Sequence, residues 1–290
     1  MKRCLVTGAS GLIGSHLLQA LTPEWEIHAI ARRGVPGPAS AGIVWHDVDV
    51  SRALDVHELP LHVDAVIYLA QSEHFRDFPE RAMDIFEVNT FGLLRMLDYA
   101  RRCGARTFIY GSSGGVYGPG TTNTSEDSPV LAEGDLGFYL GSKLCSEIVA
   151  LNYSKLMNVT ILRFFFVYGP GQRKTMLVPR LIDSVRTGKL ITLQGKDGIR
   201  LNPTYVTDAA GAIIRALELE GTHKINIAGP EILSLFQICE SIGRLLRCRP
   251  VYSVEAAPPR DIIGDITKMT DLLTAPKVGF QKGLQAVLQT

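Results

Sequence analysis

The sequence has few cysteines, almost no net charge and no long apolar run, and each absence excludes a class of protein. Its five cysteines are scattered and odd in number, without metal-ligand spacing, so we expect a reduced cytoplasmic protein with no metal site. A net charge of +1 gives no electrostatic basis for binding nucleic acid or a membrane surface. The first apolar stretch is too short for a signal peptide, and no segment could span a bilayer. With 46% hydrophobic residues, the 290-residue chain is typical of a soluble globular protein.

A strand, a glycine-rich turn and a helix are present at the start of the chain. CLVTGASGLIGSHLLQAL places glycines at 8, 11 and 14 between an apolar strand and a helical apolar pattern. Gly8 permits the turn, Gly11 leaves room for a diphosphate, and Gly14 lets the helix approach the strand. The helix N-terminus presents backbone N–H groups to phosphates, and this context disfavours the alternative of a turn without a ligand. The predicted dinucleotide contacts here are Gly8, Ser10, Gly11, Leu12, Ile13 and Gly14.

The ends of the next two predicted strands bear on which dinucleotide is bound. EIHAIARR ends on Arg32 and Arg33, where a carboxylate would favour NAD by binding both ribose hydroxyls. Guanidinium groups pair with a 2′-phosphate, so these arginines favour NADP over the alternative cofactor, NAD. The arginines could instead be solvated at the strand end and have no part in cofactor binding. GIVWHDVDV carries Asp47 near the expected pocket rim, where it either accepts from the adenine amino group or caps a helix.

Strands and amphipathic helices continue to alternate along the chain. VDAVIYLAQ, ARTFIYGSS and NVTILRFFFVYG are three further buried strands. The pattern predicts an α/β fold, a Rossmann-type doubly wound parallel sheet with a smaller C-terminal α/β substrate domain. We expect residues 1–165 to form the dinucleotide-binding domain and 166–290 the substrate domain, with strand 223–228 returning to the main sheet. Ligands bind such sheets at the carboxyl ends of their strands.

A tyrosine and a lysine lie one helical turn apart in FYLGSKLCSE, just after a Pro- and Gly-rich loop. The spacing of Tyr139 and Lys143 places both on one helix face. An ammonium beside a phenol, together with the positive charge of a nicotinamide, favours the phenolate and lowers the pKa of the tyrosine, which can then exchange a proton with a substrate oxygen. A serine at the end of the fifth strand, Ser112 or Ser113, faces the same side. A helix start with one exposed lysine is the alternative.

The chain resembles the extended short-chain dehydrogenase/reductases, in the epimerase/dehydratase group that acts on nucleotide sugars, through segments in family order: TGASGLIGSHL (7–17), VIYLA (66–70), VNTFGLLRMLDYA (88–100), GSSGGVYG (111–118), YLGSK (139–143), LRFFFVYGPGQR (162–173) and NPTYVTDAA (202–210). The resemblance implies a catalytic triad of Ser113, Tyr139 and Lys143. It also implies that Asp47 contacts adenine and that Asn89 supports the backbone around the site. The further cofactor contacts expected are Val48, Leu69, Ala70, Gln71, Tyr139 and Lys143.

The sequence departs from this group at several positions. The dehydratases carry Asp-Glu after the catalytic Ser or Thr, whereas Gly114 and Gly115 stand here, which disfavours 4,6-dehydration and leaves room for a substrate ring. Phe166 replaces an asparagine that helps to hold the substrate in many relatives, and Gln71 ends YLAQ where HLAA is usual. The candidate ligands of the substrate diphosphate are Arg173, Arg200 and Arg260, because the guanidinium group pairs bidentately with phosphate oxygens. Each of the three could instead be a surface residue. The predicted substrate contacts are Gln71, Ser113, Gly114, Tyr139, Phe166, Arg173, Arg200 and Arg260.

These features predict hydride transfer at a sugar carbon, most simply C4 of a nucleotide-linked hexose, with Tyr139 handling the proton. The arginines after the second strand favour an NADPH-dependent 4-ketoreductase. The motif SSGGVYG resembles the NAD-dependent 4-epimerases, which use the same triad. A non-catalytic dinucleotide sensor or scaffold is the hypothesis from another class, and the complete triad argues against it. The family resemblance also implies a homodimer, with Phe86, Leu93, Leu94 and Leu97 as candidate interface residues.

Overall fold

The computed structural model describes residues 1–21, 24–32, 42–54, 58–118, 120, 123–131 and 136–289. Its strands are β1 (Lys2–Thr7), β2 (Trp25–Ala31), β3 (Ile43–Asp47), β4 (Ala65–Tyr68), β5 (Thr107–Ser113), β6 (Asn158–Phe164), β7 (Val167–Tyr168), β8 (Leu190–Gln194), β9 (Arg200–Leu201), β10 (Thr204–Tyr205), β11 (Thr222–Ile227), β12 (Leu233–Ser234) and β13 (Val251–Glu255). Its α-helices are α1 (Leu12–Ala20), α2 (Ala82–Phe86), α3 (Gly92–Arg102), α4 (Phe138–Asn152), α5 (Leu177–Thr187), α6 (Val206–Ala216), α7 (Leu235–Leu246), α8 (Thr267–Leu272) and α9 (Phe280–Leu288). A π-helical turn, Glu87–Phe91, joins α2 to α3.

The main sheet confirms the predicted doubly wound α/β fold. Within the described residues it has seven strands in the order β11-β6-β5-β4-β1-β2-β3, and every neighbouring pair is parallel. The strand order reverses between β1 and β4, which is where α/β sheets of this type bind ligands. Among the strands of this sheet β11 comes last in the chain, and it lies at the edge and pairs with β6.

Two apolar layers cover the two faces of this sheet. One buried cluster packs α3 and α4 against the sheet through residues such as Leu93, Met96 and Ala150. The other packs α1 and α6 against the opposite face through Leu17, Leu18 and Ile213. Strands covered on both faces are apolar along their whole length, which explains the runs CLVT and AVIY.

The C-terminal part of the chain has an apolar cluster of its own. Val178, Leu181, Ile238 and Phe280 bring α5, α7 and α9 together around short strands. The strands β8 and β13 pair with each other and not with the main sheet. Across the described ranges, no helix is both long enough and apolar enough to cross a membrane.

Candidate active site

A cavity of about 650 Å³ lies at the carboxyl ends of β1, β4, β5 and β6 and extends to the C-terminal cluster. It therefore occupies the edge of the sheet at which the strand order reverses. Most of the residues predicted from the sequence line this one cavity: Gly8, Ser10, Gly11, Leu12, Ile13, Gly14, Arg32, Val48, Leu69, Ala70, Gln71, Ser113, Tyr139, Lys143, Phe166 and Arg173.

The glycine turn closes one end of the cavity. A Cβ atom on Gly14 would lie 2.3 Å from the carbonyl oxygen of Gly8, so only glycine lets α1 approach the turn this closely. Gly11 is the N-cap residue of α1 and supplies no side-chain cap to the first-turn N–H groups. Uncapped N–H groups at a helix N-terminus that lines a cavity are suited to an anionic group such as a diphosphate.

Tyr139, Lys143 and Ser113 meet in the middle of the cavity. Tyr139 lies in the first turn of α4, and its hydroxyl donates to Oε1 of Gln71 at 2.9 Å. The Nζ atom of Lys143 lies 6.0 Å from the centre of the Tyr139 ring and donates to the carbonyl oxygen of Gly111 at 2.8 Å. Ser113 is the last residue of β5, and its Oγ accepts from the amide of Gly115 at 3.2 Å. A phenol, a hydroxyl and an ammonium thus face one space.

The electrostatic environment of the pair differs from the sequence-based expectation. Burial raises the pKa of Tyr139 well above its usual value, and the charge of Arg76 and a hydrogen bond from Ser113 act in the opposite direction. The pKa of Tyr139 is therefore raised in this structure, whereas the sequence predicts a lowered value, and the charged group that most opposes the rise is Arg76. Burial also lowers the pKa of Lys143 to about 8, while the carboxylate of Glu147 counteracts this shift.

A buried ion pair lies one helical turn beyond Lys143. Nη2 of Arg163 on β6 donates to Oε2 of Glu147 at 2.6 Å, and both side chains are 2% exposed. Ser112 Oγ donates to the other oxygen of Glu147 at 2.5 Å. Ser112 also lines the cavity, but its hydroxyl is engaged by the carboxylate of Glu147. This arrangement supports Ser113 as the serine that serves the cavity.

Asn89 joins the end of β4 to the helix that carries Tyr139. It lies in the π-helical turn and is fully buried. Its Oδ1 accepts from the amide of Ser72 at 3.0 Å, and its Nδ2 donates to Ser142 Oγ at 2.9 Å. π-Helical turns within α-helices are frequent at functional sites. The contacts agree with the role implied by the family resemblance, support of the backbone around the site.

The adenosine end of the cavity contains carboxylates as well as arginine. Arg32 lines the wall, with its guanidinium 3.9 Å from Glu73. Burial raises the pKa of Asp49, but hydrogen bonds from Ser51, followed by the charge of Arg32, lower that pKa below its usual value. Arg33 lies outside the described residues. Asp47 ends β3 with an exposed side chain and does not line the cavity, whereas Val48 and Asp49 do.

The predicted substrate residues divide into two groups. Gln71, Ser113, Tyr139, Phe166 and Arg173 line the cavity, and Phe166 has a left-handed backbone with φ of +43°. Gly114, Arg200 and Arg260 do not line it.

The structure gives a physical reason for the position of Gly114 and of Arg200. A Cβ atom on Gly114 would lie 2.3 Å from the Phe165 ring, so this glycine accommodates a core ring and leaves no room for a sugar. Arg200 donates through Nε and Nη2 to Oδ2 of Asp261 at 2.9 and 2.7 Å. Its guanidinium is therefore held by a carboxylate. Arg260 is exposed outside the cavity wall.

Sequence reasoning missed the segment that follows Gln71. Glu73, Phe75 and Arg76 all line the cavity, and Arg76 donates to the carbonyl oxygen of Thr175 at 3.0 Å. The Phe75 ring lies 5.1 Å from the Tyr139 ring. Their position directly after β4, at the ligand-binding edge of the sheet, was the available signal.

Comparisons with known proteins agree with this geometry. Residues 4–228 match the family model described as the NAD dependent epimerase/dehydratase family. The chain is 28% identical to a UDP-N-acetyl-alpha-D-glucosaminuronate decarboxylase of Bacillus cytotoxicus, over 99% of this chain and 97% of that one. It is 24% identical to a UDP-glucuronate 4-epimerase of Thermodesulfobacterium geofontis, over 97% and 93% of the two chains. A solved UDP-glucuronic acid 4-epimerase from Bacillus cereus, in complex with UDP-glucuronic acid and NAD, superposes with a TM-score of 0.87 at 27% identity, over 99% and 98% of the chains.

Proposed function

We propose that this chain, an enzyme of the extended short-chain dehydrogenase/reductase type that belongs to the NAD dependent epimerase/dehydratase family, is an NAD-dependent 4-epimerase of a UDP-linked sugar. The observation that carries the proposal is the convergence of Ser113, Tyr139 and Lys143 with the glycine turn on one cavity. A phenol and a hydroxyl beside a dinucleotide site are what oxidation of a carbinol carbon requires. The named relatives that act on UDP-sugars support the choice of substrate class.

The residues of the cavity fit a dinucleotide along its length. The glycine turn and the N-terminus of α1 would hold the diphosphate, and the wall between Arg32 and Val48 would hold the adenosine. Tyr139 and Lys143 would hold the nicotinamide ribose. When bound, the cofactor supplies a reversible hydride acceptor for the sugar carbon.

In this proposal Tyr139 moves the proton, Ser113 positions the sugar oxygen, and Lys143 favours the ionised form of Tyr139. Tyr139 Oη takes the proton of the C4 hydroxyl during oxidation and returns it when the keto group is reduced from the other face. Ser113 Oγ hydrogen-bonds the same sugar oxygen. Lys143, anchored on Gly111 and, with a pKa of about 8, mostly charged near neutral pH, favours the phenolate form by its charge. Arg76 adds a second positive charge close to Tyr139.

The adenosine end supports NAD over NADP. The guanidinium of Arg32 faces Glu73, and Asp49 lines the same wall, so a 2′-phosphate would lie near two carboxylates. Arg32 is nevertheless the specific observation that favours the second candidate function, an NADPH-dependent 4-ketoreductase. The two functions differ in whether the cofactor is retained or consumed.

Analysis of the released cofactor separates the two functions. The purified protein is denatured, and any nicotinamide nucleotide that it releases is identified and counted by chromatography. An epimerase is expected to release NAD in near-stoichiometric amount and to convert UDP-glucose or UDP-glucuronic acid to the C4 epimer without net NADH. A protein that binds NADPH in preference to NADH, and consumes it with a keto sugar, would overturn the epimerase in favour of the ketoreductase.

We further propose a homodimer formed by α3 and α4 with the segment before them. Leu93 and Leu97 are fully buried within the chain, which removes them from the candidate interface residues. Leu94 is exposed, and several large apolar side chains on the same elements share that exposure: Phe78, Met83, Phe91 and Ile148. A group of exposed apolar side chains of this size favours association with another copy.

A further inference from the structure

The hydroxyl of Tyr139 has a side-chain partner that the triad does not include. Tyr139 Oη donates to Oε1 of Gln71 at 2.9 Å, within the cavity. Gln71 ends the YLAQ segment, at a position where the resembled family usually has alanine. Alanine cannot make this contact. The hydrogen bond is therefore a feature of this chain, and its effect falls on the atom that would exchange the proton.

The backbone on both sides of Gln71 is fixed by hydrogen bonds. Thr7 Oγ1 accepts from the amides of residues 69 and 70, each at 3.2 Å. The amide of Ser72 donates to Asn89 Oδ1 at 3.0 Å. Gln71 thus lies on a segment tied both to β1 and to the π-helical turn, and its side chain starts from a defined position.

The same asparagine also fixes the backbone of Tyr139. Asn89 Nδ2 donates to Ser142 Oγ at 2.9 Å, and Ser142 Oγ donates to the carbonyl oxygen of Tyr139 at 2.7 Å. Asn89, Ser72 and Ser142 are all buried. One buried residue therefore sets the separation between the two side chains that meet in the cavity.

We infer that Gln71 is a catalytic residue whose carboxamide pairs with Tyr139 Oη in both of its protonation states. A carboxamide offers an acceptor, Oε1, and two donors on Nε2. Oε1 accepts from the phenol, as observed, and after rotation of the amide Nε2 donates to the phenolate. The proton itself moves only between Tyr139 Oη and the sugar oxygen, so Gln71 gains and loses no proton. This inference rests on the proposed function, since it concerns the same proton transfer.

Other charged and titratable groups also face Tyr139. Arg76 comes from the segment after β4, Tyr110 from β5, and Lys143 from α4 itself. The charge of Arg76 favours the phenolate, and so does that of Lys143 in its protonated form, but neither cation offers an acceptor to the phenol. Gln71 differs because it can serve both forms.

Two variants of Gln71 separate a catalytic role from a structural one. Gln71→Met keeps the length of the side chain and removes both hydrogen-bonding groups. Gln71→Glu keeps an acceptor, removes the donor and adds a negative charge beside the phenol. Gln285→Met, at an exposed position on α9, is the matched control. The readouts are kcat and KM against pH for a UDP-sugar, and the ¹³Cζ resonance of Tyr139 at pH 7.5, assigned by its absence in Tyr139→Phe.

The inference predicts a distinct result for each variant. Gln71→Met should lower kcat about tenfold at every pH, the loss expected for one hydrogen bond to a charged group. Gln71→Glu should move the rising limb of kcat to higher pH by about one unit or more, because the carboxylate disfavours the phenolate. The Tyr139 resonance should move in both variants and stay in place in Gln285→Met.

The possible failures are distinguishable. If the parent is active and the Gln71 variants keep its kcat and its pH profile, the catalytic role of Gln71 is overturned, whether or not KM changes. The proposed function would still stand in that case. An unmoved Tyr139 resonance in both variants overturns the contact. A parent that acts on no nucleotide sugar overturns the proposed function itself.

Discussion

In the proposed reaction the proton is carried by Tyr139, and the surroundings of this residue oppose its ionisation. Burial disfavours the phenolate, while burial of Lys143 lowers the pKa of the amine to about 8. Both groups are thus shifted toward their neutral forms. The charge of Arg76 counteracts the shift of Tyr139, and the charge of Glu147 counteracts that of Lys143.

Replacing Tyr139 with phenylalanine should remove the proton transfer and little else. We expect the rate of sugar conversion to fall by roughly 10²–10⁴-fold, the usual contribution of a positioned acid or base. The nucleotide content of the purified protein should remain that of the parent, since the glycine turn is intact. Tyr252→Phe, on β13 in the C-terminal part, is the matched control and should keep the parental rate. Undiminished activity of Tyr139→Phe would contradict the catalytic assignment.

The pKa of Lys143 gives a stability prediction. The pKa of Lys143 is about 8 in the folded protein and takes the ordinary value of 10.5 in the unfolded chain. Between these two pH values the unfolded chain therefore binds more protons than the folded protein. The free energy of unfolding of the parent should therefore rise relative to that of Lys143→Met as the pH increases from 8 to 10. Urea unfolding of both proteins at several pH values measures this. Parallel curves across that window would contradict a depressed pKa.

At the scale of elements, the cofactor site depends on how closely α1 lies on β1. Gly14→Ala places a Cβ atom 2.3 Å from the Gly8 carbonyl oxygen, so we expect a loss of about 1–3 kcal/mol in the free energy of unfolding and loss of bound nucleotide. Gly211→Ala is the control, because this glycine lies inside α6 with open space around it. Alanine there should stabilise by about 0.5–1 kcal/mol. Equal behaviour of the two variants would contradict the packing argument.

A buried ion pair between Glu147 and Arg163 connects α4 to β6. Glu147→Gln should lower the free energy of unfolding by about 3–5 kcal/mol, since it leaves a guanidinium that is 2% exposed without its counter-charge. Glu218→Gln removes an exposed partner of Arg215 and should change stability by less than about 1 kcal/mol. Denaturant unfolding compares the two. A similar small effect in both would show that the buried pair does not hold the elements together.

The elements also show what a sequence can and cannot predict. The glycine turn, the Tyr139–Lys143 pair and the alternation of strands and helices are local patterns, and they gave the fold and most of the cavity wall. Arg200 is held by Asp261, 61 positions away, so its pairing could not be read from its neighbours. Gly114 packs against Phe165 for the same kind of reason, a contact between distant segments. The pKa of Tyr139 depends on burial, which local spacing does not reveal.

At the scale of the whole molecule, the proposed dimer covers the exposed apolar side chains of α3, of α4 and of the segment before α3. Ile148→Glu should give a monomer, because a charge would be buried at the interface without a partner. Val254→Glu, an exposed apolar residue on β13, is the control and should leave the assembly unchanged. Light scattering after gel filtration gives the mass of each protein. A parent that elutes as a monomer would contradict the proposed interface.

The central claim is that the enzyme removes and returns the hydrogen at C4 of a UDP-linked sugar within one active site. UDP-glucose and UDP-glucuronic acid carrying deuterium at C4 test it most directly, with the products analysed by NMR and mass spectrometry. We expect a C4 epimer that retains the deuterium, with no nicotinamide nucleotide consumed and with the conversion abolished in Tyr139→Phe. A product that has lost the deuterium, or one that forms only with consumption of NADPH, would contradict it.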